Sequence, residues 1–373
     1  MNILRKKKLH ELNIYKFHKS KNYSTENKKL LNTKISKNID INTNSYYKYN
    51  ILNKKFLFMT LLLFLIPILV FLLNKVKKET IYKTKTITNV GLCIICKREN
   101  LYIKEFIDHY KNLGYNHIFL YDNNNIDDEN FENVLQNEID EGFVSITNYR
   151  GIKCGQFKAY ADCYEKNNKQ YDWISFFDVD EFLVLKPNNI KIQDFLNNKR
   201  YKKCENIKIN WLIYTDNDKL YYEKKPVQER FTEPLYDNVF FNKHIKSTVR
   251  GNLSTNYWFK ANNPHTSDNE YIACSSSGYK VHKSSAFLFP PDYKYAVLKH
   301  YRTKTIEEYC NKMKRGRADK KIYYKEEIEW FFATNKVTKE KINYFKKEFN
   351  IEYNKNSKSK KLMEMIQILY SIY

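Results

Sequence analysis

The sequence predicts an α/β fold: a Rossmann-like half carrying a parallel sheet, then a mixed half, preceded by a single transmembrane helix. Three observations predict it. Between residues 88 and 185, short apolar runs alternate with stretches of helical periodicity, the pattern of right-handed β-α-β units whose sheet is covered on both faces. Beyond 185, apolar runs succeed one another without regular helices between them. Residues 56–73, FLFMTLLLFLIPILVFLL, carry no charge.

The elements follow in order. Residues 90–96 form an apolar run of the buried-strand type. Ile103, Phe106, Ile107, Tyr110 and Leu113 fall at helical spacing, and Gly114 ends that helix. Residues 117–121 are a second strand, closed by Asp122 and three asparagines. Phe131, Val134 and Leu135 mark a helix, 143–146 a strand, Phe157, Tyr160, Ala161 and Tyr164 a helix, and 173–177 a fourth strand. In the mixed half, 207–214, 239–241, 245–250, 279–281 and 296–300 read as strands. Helices return at 305–314, with Thr305 as N-cap, and at 325–332. The globular domain is 88–350, and a Lys-rich tail, 351–373, follows it.

The apolar stretch is long enough to matter by itself. At about 1.5 Å per residue it reaches roughly 27 Å, the thickness of a thin bilayer. Some 55 residues precede it and no small-residue cleavage site follows, so it reads as an uncleaved signal anchor. Charge agrees. Residues 1–55 hold 14 Lys or Arg against Glu11, Glu26 and Asp40, and residues 74–85 hold five Lys against Glu79. Of the formal +23, +15 therefore brackets the span and +8 remains for the rest. This is a topology signature, and no nucleic-acid partner is expected.

All seven cysteines lie after the span, which suits an oxidising lumen with some disulfides and at least one free thiol. Cys93-x-x-Cys96 reads as core, because i and i+3 on a strand face opposite ways. The expected organisation is a cytosolic tail, 1–55, an anchor, 56–73, and a juxtamembrane stem, 74–87. That makes a single-pass type II membrane protein with the lipid bilayer as partner, in the Golgi or ER membrane if eukaryotic and otherwise in a host or bacterial membrane. With 32 Tyr and 24 Phe the chain has ample core material, and with 8 Gly it has no glycine-rich phosphate loop.

Chemistry concentrates at Asp178-Val179-Asp180-Glu181, where the fourth strand ends. Residues i and i+2 of an extended segment face one side, so Asp178 and Asp180 present two hard oxygen donors to one Mn²⁺ or Mg²⁺. Carboxyl ends of parallel strands are where open α/β sheets bind ligands. Such an ion offsets the charge of a departing diphosphate, chemistry that fits glycosyl transfer from a nucleotide sugar. Asp216-Asn217-Asp218 repeats the spacing in a turn-like context and reads as solvated.

Several ordered blocks then carry a resemblance. Cys96-Lys-Arg-Glu-Asn-Leu-Tyr-Ile-Lys-Glu-Phe106, His109-Tyr110, Gly114, His117 to Asn123, Trp173, Phe177-Asp-Val-Asp-Glu-Phe182, Gln228-Glu-Arg-Phe231, Lys246-Ser-Thr-Val-Arg250 and Lys299-His-Tyr-Arg-Thr303 to Gly316 resemble glycosyltransferase family 92 and its family 2-like relatives. The resemblance implies a GT-A fold, a nucleotide-sugar donor (a UDP-sugar first), a divalent metal, a glycan or glycoconjugate acceptor, and inverting transfer of a hexose, galactose first. It places His300 as third metal ligand beside Asp178 and Asp180. It seats the nucleotide on Glu99 and Asp122, with Arg302, Lys314, Arg315 and Arg317 toward the diphosphate. For the general base it offers Glu229 first and Glu181 second. The segment after Asp122, Asn124-Asn125-Ile126-Asp127, departs from the family pattern. The alternative reading is a catalytically inactive, membrane-tethered glycan-binding or scaffold protein of the same fold.

Overall fold

Strand β1 (Val90–Cys96) is buried along its whole length and organises what surrounds it. Its side chains alternate: Leu92, Ile94 and Cys96 enter one apolar core, and Cys93 and Ile95 the other. Helix α1 (Asn100–Leu113) covers the first face through Ile103, Phe106, Ile107 and Tyr110. Helix α3 (Gln156–Asn167) covers the second through Ala159, Tyr160, Cys163 and Tyr164. Cys93 and Cys96 are thus buried on opposite faces, both as free thiols, as their spacing required. Gly114 ends α1 in the left-handed region at φ 95°, where a side chain would be strained.

The structure is a computed structural model that describes residues 59–75, 86–237, 239–253, 271–282, 285–317 and 323–350. The chain divides into two units after residue 78. In the first unit, residues 59–75 are helical and their apolar side chains are exposed, Phe64 by 75% and Phe71 by 69%. Among the described residues no helix is long and apolar enough to cross a membrane. Residues 56–58 of the expected span lie outside the described residues, as do the tail 1–55, most of the stem and the tail 351–373.

In the second unit, nine strands among the described residues make one mixed sheet in the order β3-β2-β1-β4-β7-β6-β9-β5, with β8 against β6. The strands β2 (His117–Asp122), β3 (Val144–Asn148) and β4 (Trp173–Phe176) are parallel to β1, with α2 (Glu132–Asp140) between β2 and β3, the half that alternation predicted. The others are β5 (Glu181–Leu185), β6 (Asn206–Ile213), β7 (Ile245–Arg250), β8 (Ala273–Cys274) and β9 (Ala296–His300). They pair antiparallel across β4–β7, β6–β7 and β5–β9, and parallel across β6–β9.

That order forces curvature. From Phe176 to Glu181 the chain moves from β4 to β5, four neighbours apart in the sheet. Four spacings of about 4.8 Å on a flat sheet make about 19 Å, whereas five extended residues reach at most about 18 Å. The sheet therefore curls, and residues 177–180 carry the chain from β4 in its middle to β5 at one edge. Glu181 pairs with His300 in the β5–β9 register, and the Tyr301 amide donates to the Asp180 carbonyl at 2.8 Å.

Three further helices, α7 (Ile306–Arg315), α8 (Tyr324–Thr334) and α9 (Lys339–Phe349), form their own core around Tyr309, Met313, Phe331 and Phe345. Thr305 caps α7 as expected, in a box with Glu308. Helix α9 was not foreseen: its Lys- and Glu-rich sequence buries only Lys341 and Phe345. Strand β5 and the short α4 (Ile192–Asn197) were also missed.

Two expectations are corrected. Residues 239–241, expected as a strand, belong to the helical turn α6 (Val239–Asn242), whose Asn242 accepts from the Ile213 amide and donates to the Leu235 carbonyl. Three apolar residues carry no period that separates strand from helix. Residues 279–281 form only a bridge, Cys274 to Lys280, beyond a turn at Gly278. Cys204 and Cys274 are disulfide-bonded, and the other five cysteines are free.

Candidate active site

The buried run Trp173 to Phe177 drives β4 into the core and delivers Asp178, Val179 and Asp180 at its carboxyl end. The turn is closed by its own Glu181: the Asp178 amide donates to Glu181 Oε2 at 2.9 Å, and the Glu181 amide donates to the Asp178 carbonyl at 2.9 Å. Glu181 is fully enclosed, and burial pushes its carboxyl well above the usual range. It sits behind the site and does not line it.

Asp178 and Asp180 do line it, in a cleft of about 170 Å³ that also takes in Glu99, Lys246, His300, Arg302, Lys312, Arg315, Arg317 and Glu327. Asp178 Oδ1 accepts from Gln156 Nε2 at 3.1 Å and from the Tyr160 hydroxyl at 3.2 Å. Its Oδ2 meets Lys246 Nζ at 2.8 Å. Asp180 Oδ2 meets Lys312 Nζ at 2.5 Å, and Oδ1 stands 3.4 Å from His300 Nε2. Burial works against both charges, and the cations outweigh it. Lys246 holds the Asp178 carboxyl below its usual range, and Lys312 with His300 holds Asp180 well below. Burial in turn lowers the His300 pKa against the pull of Asp180.

Arg302 after β9, Arg315 at the end of α7 and Arg317 just beyond it close the cleft. Arg302 is fixed by Glu327 at 2.6 Å and lies 4.0 Å over the Trp330 ring. Glu327 also accepts from the Tyr309 hydroxyl at 2.7 Å and from Arg317 at 3.1 Å. Despite its burial, the Arg302 guanidinium and these partners hold its pKa down to about 2. Arg315 reaches across to Glu99 at 2.5 Å and to the Lys97 and Arg98 carbonyls, tying the end of α7 to the loop after β1.

Among the described residues, no three His, Cys, Asp or Glu side chains converge closely enough to hold a metal ion as they stand. The donor set nevertheless fits one in kind. Two carboxylates and a neutral imidazole suit Mn²⁺ or Mg²⁺. The 3.4 Å between His300 Nε2 and Asp180 Oδ1 is close to the roughly 3 Å that separates adjacent ligands of an octahedral ion with bonds of about 2.1 Å. The carboxylate oxygens are satisfied instead by the ammonium groups of Lys246 and Lys312.

Of the residues expected from sequence, Asp178, Asp180, His300, Glu99, Arg302, Arg315 and Arg317 come together. Four do not. Asp122 accepts from Arg150 Nε at 2.7 Å and from the Asn124 amide, an Asx turn that orders the 124–130 loop, and it is not in the cleft wall. Lys314 points to Glu348 on the outer face of α7. Glu229 is exposed on α5 (Val227–Arg230), and its neighbour Arg230 is a buried bidentate partner of Glu308. Glu181 is sealed behind Asp178. The residues missed were Lys246, Lys312, Gln156, Tyr160 and Glu327. One signal was available: Lys312 and Arg315 stand three apart on α7 and share a helix face.

Comparison with known proteins now decides the family. The chain matches glycosyltransferase family 92 over residues 88–352. It belongs to glycosyltransferase family 92. Curated members of the family include one from Oryza sativa subsp. japonica, 31% identical over 113 residues, and one from Ricinus communis, 29% identical over 109 residues. These matches cover 30% and 29% of this chain and 18% and 19% of the relatives, so it spans under a fifth of their length. Among solved structures it is similar to S. aureus TarS, with a TM-score of 0.30, 9% identity, and 75% of this chain and 48% of that one covered. It is also similar to a mannosyltransferase from Pyrobaculum calidifontis in complex with GDP-Man and Mn²⁺, with a TM-score of 0.30, 10% identity, and 80% and 79% covered.

Proposed function

We propose that this family 92 member is a GT-A glycosyltransferase that moves a hexose, galactose first, from a UDP-sugar to a glycan or glycoconjugate acceptor with inversion. One observation carries the donor reading. The cleft wall sets six cationic side chains (Lys97, Lys246, Arg302, Lys312, Arg315, Arg317) against four carboxylates (Glu99, Asp178, Asp180, Glu327) at the carboxyl end of β4. That surplus suits a diphosphate. A divalent cation held by Asp178, Asp180 and His300 would supply further charge neutralisation for the departing nucleoside diphosphate. Arg302 and Arg315 are pre-oriented by Glu327 and Glu99, so they meet developing charge with little reorganisation.

The apolar stretch 56–73 and its flanking lysines support a type II anchor, with the tail cytosolic and the catalytic unit in the lumen. The deciding experiment is release of nucleoside diphosphate by the full chain in detergent, screened over UDP- and GDP-sugars with and without Mn²⁺. Release from one donor supports the reading. Silence over the whole panel by folded protein supports the inactive glycan-binding alternative.

A further inference from the structure

Lys246 and Lys312 both pair with the Asp178–Asp180 carboxylates, yet they are built differently. Lys246 rises from β7, and its side chain is 1% exposed between Asp178 and Glu181. Lys312 stands on α7 with its side chain 27% exposed. Its Nζ touches Asp180 Oδ2 at 2.5 Å and the Arg302 carbonyl at 3.1 Å. It also lines a neighbouring groove with Tyr102, Tyr221 and Glu307, so open space lies beside its present position. A lysine stem has four flexible carbons and three donors on its head, so it can change partners at small cost.

A divalent cation beside His300 would take Asp180 Oδ1, the other oxygen of the carboxylate that Lys312 holds through Oδ2. An ammonium and a dication on one carboxylate repel each other at short range, and a partly buried cleft screens that repulsion weakly. We infer that Lys312 is a displaceable counter-ion: it neutralises Asp180 in the metal-free protein, yields the carboxylate to the divalent cation, and carries its charge onto the incoming diphosphate. This rests on the metal- and nucleotide-binding reading of the cleft. Linkage fixes the signs. Lys312 weakens cation binding in the absence of nucleotide, strengthens nucleotide binding, and couples the two.

The test is calorimetric titration of the full chain with Mn²⁺, and with UDP at saturating Mn²⁺, for wild type, Lys312→Met and Lys97→Gln. Lys97 lines the same cleft and controls for charge alone. Lys312→Met should bind Mn²⁺ about tenfold tighter and UDP about tenfold weaker, within the usual range of site coupling. Lys97→Gln should leave Mn²⁺ binding within about twofold. Unchanged or weaker Mn²⁺ binding by Lys312→Met, while wild type binds Mn²⁺ and UDP, overturns the exchange and leaves the donor-site reading standing. An equal gain in Lys97→Gln overturns it as a mere field effect. Absence of Mn²⁺ binding in every protein, with or without UDP, overturns the metal reading and the exchange together. Lys312→Gln, with the same expected signs, serves if the methionine variant does not fold.

Discussion

Two D-x-D segments stand in this chain, each paired with lysine, and they do different things. Asp178 and Asp180 line the cleft, with side-chain exposures of 34% and 7%. Asp216 and Asp218 wrap the fully buried Lys341 of α9 at 2.7 and 3.1 Å. Asp216 is 1% exposed, so the solvated reading of that segment is corrected: only Asp218, at 54%, faces water. Asn217 and Asp218 take left-handed φ values of 48° and 56°, which curl the second segment around the ammonium. Spacing and countercharge are shared. Both segments follow the carboxyl ends of strands that run in the same direction, since β4 and β6 are each antiparallel to β7. What differs is what faces them there, a ring of arginines for the first and the underside of one helix for the second.

The contrast can be broken by substitution. Asp180→Asn should cut donor turnover at least about 100-fold, the scale of removing a group aimed at transition-state charge, with the fold intact by circular dichroism. Asp216→Asn should leave turnover within about threefold below its melting temperature. Similar losses in both variants would erase the distinction. For stability the order reverses. Lys341→Met strands Asp216 without a countercharge and should cost about 3–5 kcal/mol in urea unfolding, with little change in turnover of the folded fraction.

Acid separates the segments by sign. The Asp178 and Asp180 carboxyls are held below their usual range, so they contribute stability above the ordinary Asp range that is lost as pH falls through their folded values. Burial raises the Asp216 carboxyl despite Lys341, so its contribution is present below the ordinary range and lost as pH rises. In urea unfolding from pH 6 downward, the stability difference between wild type and Asp180→Asn should therefore shrink, while that between wild type and Asp216→Asn should grow. Parallel trends would refute the assignment. The smallest effect belongs to Lys336, 72% exposed and 3.6 Å from Asp218. Lys336→Ala should shift stability by at most about 0.5 kcal/mol, since exposed pairs are screened.

Much of the fold was legible because it is written in local periods. The run 90–96, the helix ended by Gly114 and the Thr305 cap depend on residues within a few positions of each other, and each is found where expected. Illegible elements lacked such a period: the three-residue apolar run at 239–241, and α9, whose burial rests on Phe345 and a lysine. In the site, Asp178 and Asp180 were legible because carboxylates ending a buried strand need a partner. The identity of that partner was not. Asp122, by contrast, has the position expected of a nucleoside contact, and its side chain is committed to Arg150.

By itself, the sequence determined the order of strands and helices over residues 90–176, the parallel half of the sheet, the family and the carboxylate pair, because hydrophobic alternation and motif blocks act over short stretches of chain. Tertiary structure alone decided which of the two D-x-D segments faces a cleft and which cations meet it. Asp180 finds Lys312 from 132 residues away, and Glu99 finds Arg315 from 216 away. Such pairs exist only because the sheet curls and α7 closes over its end, and no period along the chain encodes that closure.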